Sequence, residues 1–203
     1  MATAAQAIHA DPDPLCFQPG QRLFTAADLA AMPEHLPSGD VSFELHHGRL
    51  VAMSPPGARH GNFQVRIGGA LLAQGESKGC GKAYTEVGIV LARKPDHIVG
   101  ADAAFVTSQS SPARESPEGY LETIPELVVE VRSKNDTNAE IAEKVADYLR
   151  AGTKLIWVLD PLPETVTEHR PNLQPKTLAK SAALTCEDII PGFRLSLAEL
   201  FRV

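Results

Sequence analysis

Glu130 is the residue of this sequence whose position most needs a chemical explanation. It interrupts Leu127-Val128-Val129-Glu130-Val131, the densest β-branched run in the chain, a pattern typical of a strand buried on both faces. A carboxylate there costs several kcal/mol in desolvation unless a partner compensates it. A bound divalent cation would compensate the charge, and so would an ion pair with Arg132 or Lys144.

Asp102 and Lys144 can complete a site around Glu130. Asp102 lies near the start of a strand-like run at 101–106, and if that strand neighbours the Glu130 strand, the two carboxylates converge. Such a pair suits Mg²⁺ or Mn²⁺, which can position a water for attack. Lys144 falls at the edge of the apolar stripe of a predicted helix and can reach toward the sheet. A lysine at the helix margin, or one paired with Glu140, is the structural alternative.

The elements that would position these residues are indicated by local signals. Thr137-Asn138-Ala139-Glu140 has the form of a capping box, and Gly152 suits a helix end, so a helix is predicted over 138–151, with Glu143, Asp147 and Arg150 pointing outward. His47-Gly48 predicts the turn of a β-hairpin over 43–53. The other predicted elements are a short helix after Thr25, a helix over 58–76, strands at 85–92, 101–106, 127–131, 155–159, 165–169 and 177–184, and a long loop over 107–125.

This order of elements predicts an α/β (mixed α+β) fold, in which a mixed β-sheet with an N-terminal β-hairpin is flanked by α-helices. Residues 1–20 contain Asp11-Pro12-Asp13-Pro14 and are predicted to form a tail, and residues 21–203 a single domain. No stretch resembles a secretory signal or a membrane span. Three dispersed cysteines favour reduced thiols in a cytoplasmic protein, and no histidine spacing commends a zinc site.

Net charge limits how the chain could bind nucleic acid. The formal charge is −6, so the cationic excess that gives sequence-independent affinity for a phosphate backbone is missing. If the protein acts on nucleic acid, it needs a local basic patch, a metal ion, an oligomeric groove or a partner subunit.

Taken together, the acidic residue, the strand-borne Glu-x-Arg and the helical lysine resemble the PD-(D/E)-x-K nuclease superfamily. More narrowly, the chain resembles the Uma-two family of restriction-endonuclease-like proteins. The resemblance runs from about Phe43 to Phe201, and its main segments are Phe43-Glu44-Leu45-His46-His47-Gly48-Arg49-Leu50, Met53-Ser54-Pro55-Pro56 with His60, Pro125 to Ser133, Glu143-Lys144, Ala151-Gly152, Trp157 to Pro161 and Pro191-Gly192-Phe193.

The resemblance implies a restriction-endonuclease-like fold and a metal site. Asp102 and Glu130 would bind the metal with the carbonyl of Val131, and Lys144 would be a relocated active-site lysine. Two departures stand out: Ala101 precedes Asp102 where proline is usual, and Arg132 takes the usual lysine position, where arginine can stabilise charge but not shuttle a proton.

Two further residues have open roles. Glu44 either joins the site, as an early acidic residue often does in this superfamily, or faces solvent on the hairpin. His60 is interpreted as a hydrogen-bonded histidine at the edge of the core rather than as a site residue.

Two functional hypotheses follow. The first is a metal-dependent endonuclease that uses Mg²⁺ or Mn²⁺ to hydrolyse DNA, with Lys144, Glu44 and Arg132 as catalytic residues and a homodimer as the expected assembly. The second is a catalytically silent module of nuclease fold that binds or assembles with other molecules.

Overall fold

The computed structural model describes residues 22–33, 35–36, 39–40, 42–53, 56–110 and 113–202. The predicted tail over residues 1–20 lies outside the described residues. In chain order the elements are α1 (Ala26–Ala30), β1 (His35–Leu36), β2 (Gly39–Asp40), β3 (Ser42–His46), β4 (Arg49–Met53), α2 (Ala58–Gln74), β5 (Gly81–Ala92), β6 (His97–Thr107), β7 (Leu127–Val131), α3 (Asn138–Ala151), β8 (Leu155–Asp160), β9 (Thr165–His169), β10 (Lys176–Leu178), β11 (Ala183–Leu184), β12 (Leu195–Ser196) and α4 (Leu197–Leu200). Two short 3₁₀ turns cover Glu76–Lys78 and Ser108–Ser110.

The predicted boundaries of α3 and the predicted hairpin turn are confirmed, whereas the helix predicted over 58–76 ends at Gln74. At the start of α3, the Thr137 hydroxyl accepts the N–H of Glu140, whose carboxylate accepts the N–H of Thr137. Gly152 ends the helix with φ of 113°, a left-handed conformation that glycine adopts without a Cβ penalty. His47 and Gly48 both have positive φ, 49° and 81°, as a tight hairpin turn between β3 and β4 requires.

The main sheet is mixed and has eight strands. Its order is β10-β9-β8-β7-β6-β3-β4, with β5 paired to β6. β7 and β8 are parallel and joined by α3, whereas the other pairings between strands of this sheet are antiparallel. This architecture confirms the predicted mixed sheet flanked by helices.

The sheet forks along one edge of β6. β5 pairs with β6 from Gly81↔Thr107 to Ala92↔His97 and so occupies one edge of that strand along its whole length. On the other edge, β7 pairs with residues 103–105 and β3 pairs at Ile98, so residues 99–102 lie where β7 and β3 separate.

The two faces of the sheet are covered by different elements. On one face, Phe63, Ile67 and Leu71 of α2 pack with Val129 of β7, Trp157 of β8 and residues near the C-terminal end of the chain. On the other face, Val145 and Tyr148 of α3 pack against residues that include Val128 and Val158. Among the described residues, no helix has both the length and the apolar character needed to span a membrane.

Several sequence predictions need correction. β5 and β6 begin earlier than predicted, at Gly81 and His97, so Asp102 lies in the middle of a strand rather than near its start. The predicted strand over 177–184 is wrong, because β10 and β11 belong to different sheets and a turn from Ala179 to Ala182 separates them. Asp147, predicted to point outward, is only 5% exposed and contacts His97.

Candidate active site

Two carboxylates bind the backbone where β7 and β3 separate. The N–H groups of alternate residues in a strand point to the same edge, and the N–H of Arg132 donates to Leu159 of β8, so the N–H of Val131 faces β6. It donates to Asp102 Oδ2 at 2.5 Å, and the N–H of Gly100 donates to Glu44 Oε1 at 2.9 Å. Buried backbone N–H groups need hydrogen-bond acceptors. At the fork the two carboxylates are those acceptors, and the bonds hold both carboxylates in place.

Lys144 joins Glu44 to Glu130. Its ammonium donates to Glu44 Oε1 at 2.9 Å and to the carbonyl of Gly100 at 3.3 Å, and it lies 3.5 Å from Glu130 Oε2. The side chains of Lys144, Glu44 and Glu130 are 16%, 7% and 7% exposed. Three of the five predicted site residues thus form one buried ionic cluster, which we call the Lys144 cluster.

The two carboxyl groups of the Lys144 cluster titrate in opposite directions. Burial raises the pKa of Glu44, but hydrogen bonds with His46, Lys144 and Gly100 outweigh burial and lower the pKa to about 2. Burial raises the pKa of Glu130 to about 8, against the opposing effect of the Lys144 charge. For Lys144, burial lowers the pKa, while the charges of Glu130 and Glu44 prevail and raise it. At neutral pH, Glu44 and Lys144 are therefore charged and most of Glu130 is protonated.

Asp102 lies beside the Lys144 cluster but makes its own contacts. His60 Nε2 and Gln64 Nε2 of α2 lie 2.8 and 2.6 Å from Asp102 Oδ1, and Gln64 also contacts Glu86. The charge of Asp102 nevertheless contributes to the raised pKa of Glu130. Asp102 therefore lies at the edge between β6 and β7, and its side-chain partners are on α2. The side-chain partners of Glu130 are on α3, which covers the opposite face of the sheet.

Arg132 lies outside these contacts. Its guanidinium donates to Asp160 Oδ2 at 3.1 Å, to the carbonyl of Asp136 at 3.2 Å and to Asn138 Oδ1 at 2.9 Å. It thereby links the ends of β7 and β8 to the start of α3. The structure does not bring Arg132 into the Lys144 cluster.

The residues beside the fork carry oxygen donors of the kind that hard divalent cations such as Mg²⁺ or Mn²⁺ prefer. Asp102 and Glu130 supply carboxylate oxygens, and the carbonyl of Val131 points to the same strand edge as its N–H, toward Asp102. A carboxylate has about four lone-pair sites, so Asp102 Oδ2 retains acceptor capacity beyond its bond to Val131. Because burial keeps most of Glu130 protonated at neutral pH, a cation that binds there must displace its proton.

A separate group of metal-ligand residues lies nearby. Among the residues that the structure describes, His47, His97 and Asp147 have ligand atoms within 4.8 Å of one another. His97 Nδ1 accepts the N–H of His47 at 3.3 Å, so the ring proton lies on Nε2, 2.9 Å from Asp147 Oδ2. An ion bound at Nε2 would have to displace that proton.

Sequence reasoning did not identify Tyr148 or Gln64 as site residues. Tyr148 follows Lys144 by four residues and therefore lies on the same side of α3, which is a signal that the sequence contained. Gln64 lies one helical turn after His60 on α2, but its contact with Asp102 depends on the packing of α2 over β6. His60, interpreted as a hydrogen-bonded residue at the core edge, has Asp102 as its partner.

Comparisons with known proteins agree with this architecture. The sequence profile of the Uma2 family, described as "Putative restriction endonuclease", matches residues 27–198. Among solved structures, the chain is similar to "a putative nuclease belonging to DUF820" from Anabaena variabilis ATCC 29413, with a TM-score of 0.72, 18% identity, and coverage of 88% of this chain and 97% of that one. At that identity, the likeness shows the fold. No curated protein matches the chain.

Proposed function

The chain belongs to the Uma2 family, described as putative restriction endonucleases, and from this premise we propose that it is a metal-dependent endonuclease acting on DNA. Asp102 and Glu130 would hold Mg²⁺ or Mn²⁺ together with the carbonyl of Val131. The observation that carries the proposal is the Lys144 cluster, in which one lysine is shared by two buried carboxylates at the fork. Such a strongly perturbed carboxylate beside a specific charged partner is characteristic of functional sites.

The roles of the residues follow from their contacts. The metal ion, when bound, would polarise the phosphodiester and activate a water molecule. Lys144 would stabilise the negative charge that develops on the phosphoryl oxygens, because its ammonium stays protonated. Glu44 would orient Lys144 through the 2.9 Å contact between them. We propose that Arg132 contributes positive charge near the phosphate from its position at Asp160 and Asn138.

DNA binding must overcome the acidic charge of the protein. With a net charge of −6, non-specific attraction to a phosphate backbone is weak, so the metal ion would supply part of the local positive charge. We propose that a homodimer or a partner subunit provides further DNA affinity. A cytoplasmic location is proposed as well, since Cys80 and Cys186 are free thiols and suit a reducing compartment.

The test is cleavage of plasmid and single-stranded DNA by the purified protein with Mg²⁺ or Mn²⁺. Glu130→Gln should abolish cleavage, because the amide cannot replace the carboxylate as a metal ligand, while circular dichroism remains unchanged. Glu143→Gln is the matched control: the same chemical change at an exposed position of α3, next to Lys144 in sequence. Equal cleavage by wild type and Glu130→Gln would refute the assigned site.

A second candidate function is a catalytically silent binding or assembly module. One observation favours it: the Lys144 ammonium is already engaged by Glu44, the carbonyl of Gly100 and Glu130, as in a structural ionic cluster. Under this alternative, the wild-type protein would cleave no DNA, and neither Mg²⁺ nor Mn²⁺ would raise its melting temperature.

A further inference from the structure

Tyr148 is a fully buried residue of α3 whose hydroxyl reaches the proposed site. It is 0% exposed, and its hydroxyl oxygen lies 2.7 Å from Glu130 Oε1 and 3.2 Å from the carbonyl oxygen of Gly100. A phenol has one proton to donate, and the shorter contact identifies Glu130 as its acceptor. The carbonyl of Gly100 also accepts from Lys144 at 3.3 Å.

Core packing alone does not explain this hydroxyl. The ring packs in the apolar cluster beneath α3 with residues such as Val128 and Val158, where phenylalanine would fill the same space. Burying a hydroxyl is unfavourable unless it is hydrogen-bonded. The partner here is the carboxyl group that we assign to the metal.

Among the described residues, Tyr148 also makes the shortest polar contact of Glu130. Lys144 lies 3.5 Å from Glu130 Oε2 and is held at 2.9 Å by Glu44, so the ammonium is drawn away from Glu130. The contact at Oε1 is 2.7 Å. Tyr148 therefore fixes the rotation of the Glu130 carboxyl, with Oε1 bound to the phenol and Oε2 turned toward Lys144.

We propose that Tyr148 is a positioning residue, which holds the Glu130 carboxylate in the orientation that binds the divalent cation. The proposal rests on the proposed function, since it presupposes that Glu130 is a metal ligand. Groups that hydrogen-bond to a metal ligand restrict its orientation, and removing them typically weakens metal affinity roughly 10–100-fold. Tyr148 would act through Glu130 and would not contact the substrate.

The experiment is Tyr148→Phe, studied by calorimetric titration of the folded protein with Mn²⁺ and by cleavage kinetics. Phenylalanine keeps the ring and removes one hydroxyl. We expect Mn²⁺ affinity to fall roughly 10–100-fold with unchanged stoichiometry, and kcat to fall while the KM for DNA stays within about twofold. Tyr84→Phe is the matched control, because Tyr84 packs against the same apolar cluster but lies on β5, which β6 separates from the strand that carries Glu130.

The outcomes separate this inference from the proposed function. If the wild type and Tyr148→Phe bind Mn²⁺ within about twofold of each other, Tyr148 does not position Glu130, while the metal site itself stands. If the wild type binds no Mn²⁺, both proposals are overturned. A purely structural tyrosine would lower the melting temperature and leave the Mn²⁺ affinity of the folded protein unchanged.

Discussion

Replacing Glu130 with glutamine should change how stability depends on pH in the metal-free protein. In the folded state, burial raises the pKa of Glu130 from 4.5 to about 8. Between these values, the unfolded chain has released its proton and the folded protein has kept it, so the unfolded state binds fewer protons and stability falls as pH rises. Below about pH 4.5 and above about pH 8, this contribution is constant.

The magnitude follows from proton linkage. Each unit of pKa difference corresponds to about 1.4 kcal/mol, so a rise from 4.5 to about 8 gives at most about 5 kcal/mol. Glu130→Gln removes this dependence, because glutamine does not titrate and fits the same space. Relative to wild type, the variant should therefore gain stability steadily between about pH 5 and pH 8.

The assay is urea unfolding in EDTA across that pH range. Glu143→Gln, exposed on α3, should follow the wild-type curve at every pH. A difference between Glu130→Gln and wild type that does not change with pH would refute the assignment of the raised pKa to Glu130. In EDTA-free buffer, free Mn²⁺ at about 100 times its Kd should add roughly 2.7 kcal/mol to the stability of the wild type and nothing to that of the variant.

Two further substitutions test other parts of the structure. Lys144→Met leaves the ionised Glu44 buried without its ammonium partner, so urea unfolding at neutral pH should show a loss of about 3–5 kcal/mol in the free energy of unfolding. The control Lys134→Met, at an exposed position, should lose less than about 0.5 kcal/mol. Equal losses would contradict the ionic cluster. Thr137→Ala removes the hydroxyl that accepts the N–H of Glu140 at the start of α3 and should cost about 1 kcal/mol in the same assay. An unchanged midpoint would show that this cap contributes nothing.

The sequence predicted best those features that depend on neighbouring residues. The capping box at Thr137 and the glycine at position 152 defined α3 at both ends, and His47-Gly48 defined the hairpin turn. The prediction of a single strand over 177–184 was wrong because each half of that segment has strand-like composition. The turn at Ala179 to Ala182 was fixed by tertiary pairing of β11 with β12.

The sequence was less informative about which face of an element is covered. The sequence leaves open whether Glu44 faces solvent or joins the site, because its burial depends on β3 pairing with β6 beside α3. Asp147 was predicted to be exposed because helical periodicity placed it away from the apolar stripe. His97, from the first position of β6, covers it instead. Lys144 is far from Glu44 in the sequence, and His97 is far from Asp147. The periodicity of a single element therefore could not reveal either contact.

The fork in the sheet explains why fold and candidate chemistry coincide. Where β7 and β3 separate along β6, the N–H groups of Gly100 and Val131 donate to carboxylates rather than to strand carbonyls. Acidic side chains at that place are therefore structural requirements as well as possible ligands. Because burial outweighs the opposing charge of Lys144, the pKa of Glu130 stays high until a further cation binds beside it. Metal binding should consequently release a proton from Glu130, and the affinity for Mn²⁺ should rise about tenfold per pH unit below pH 8.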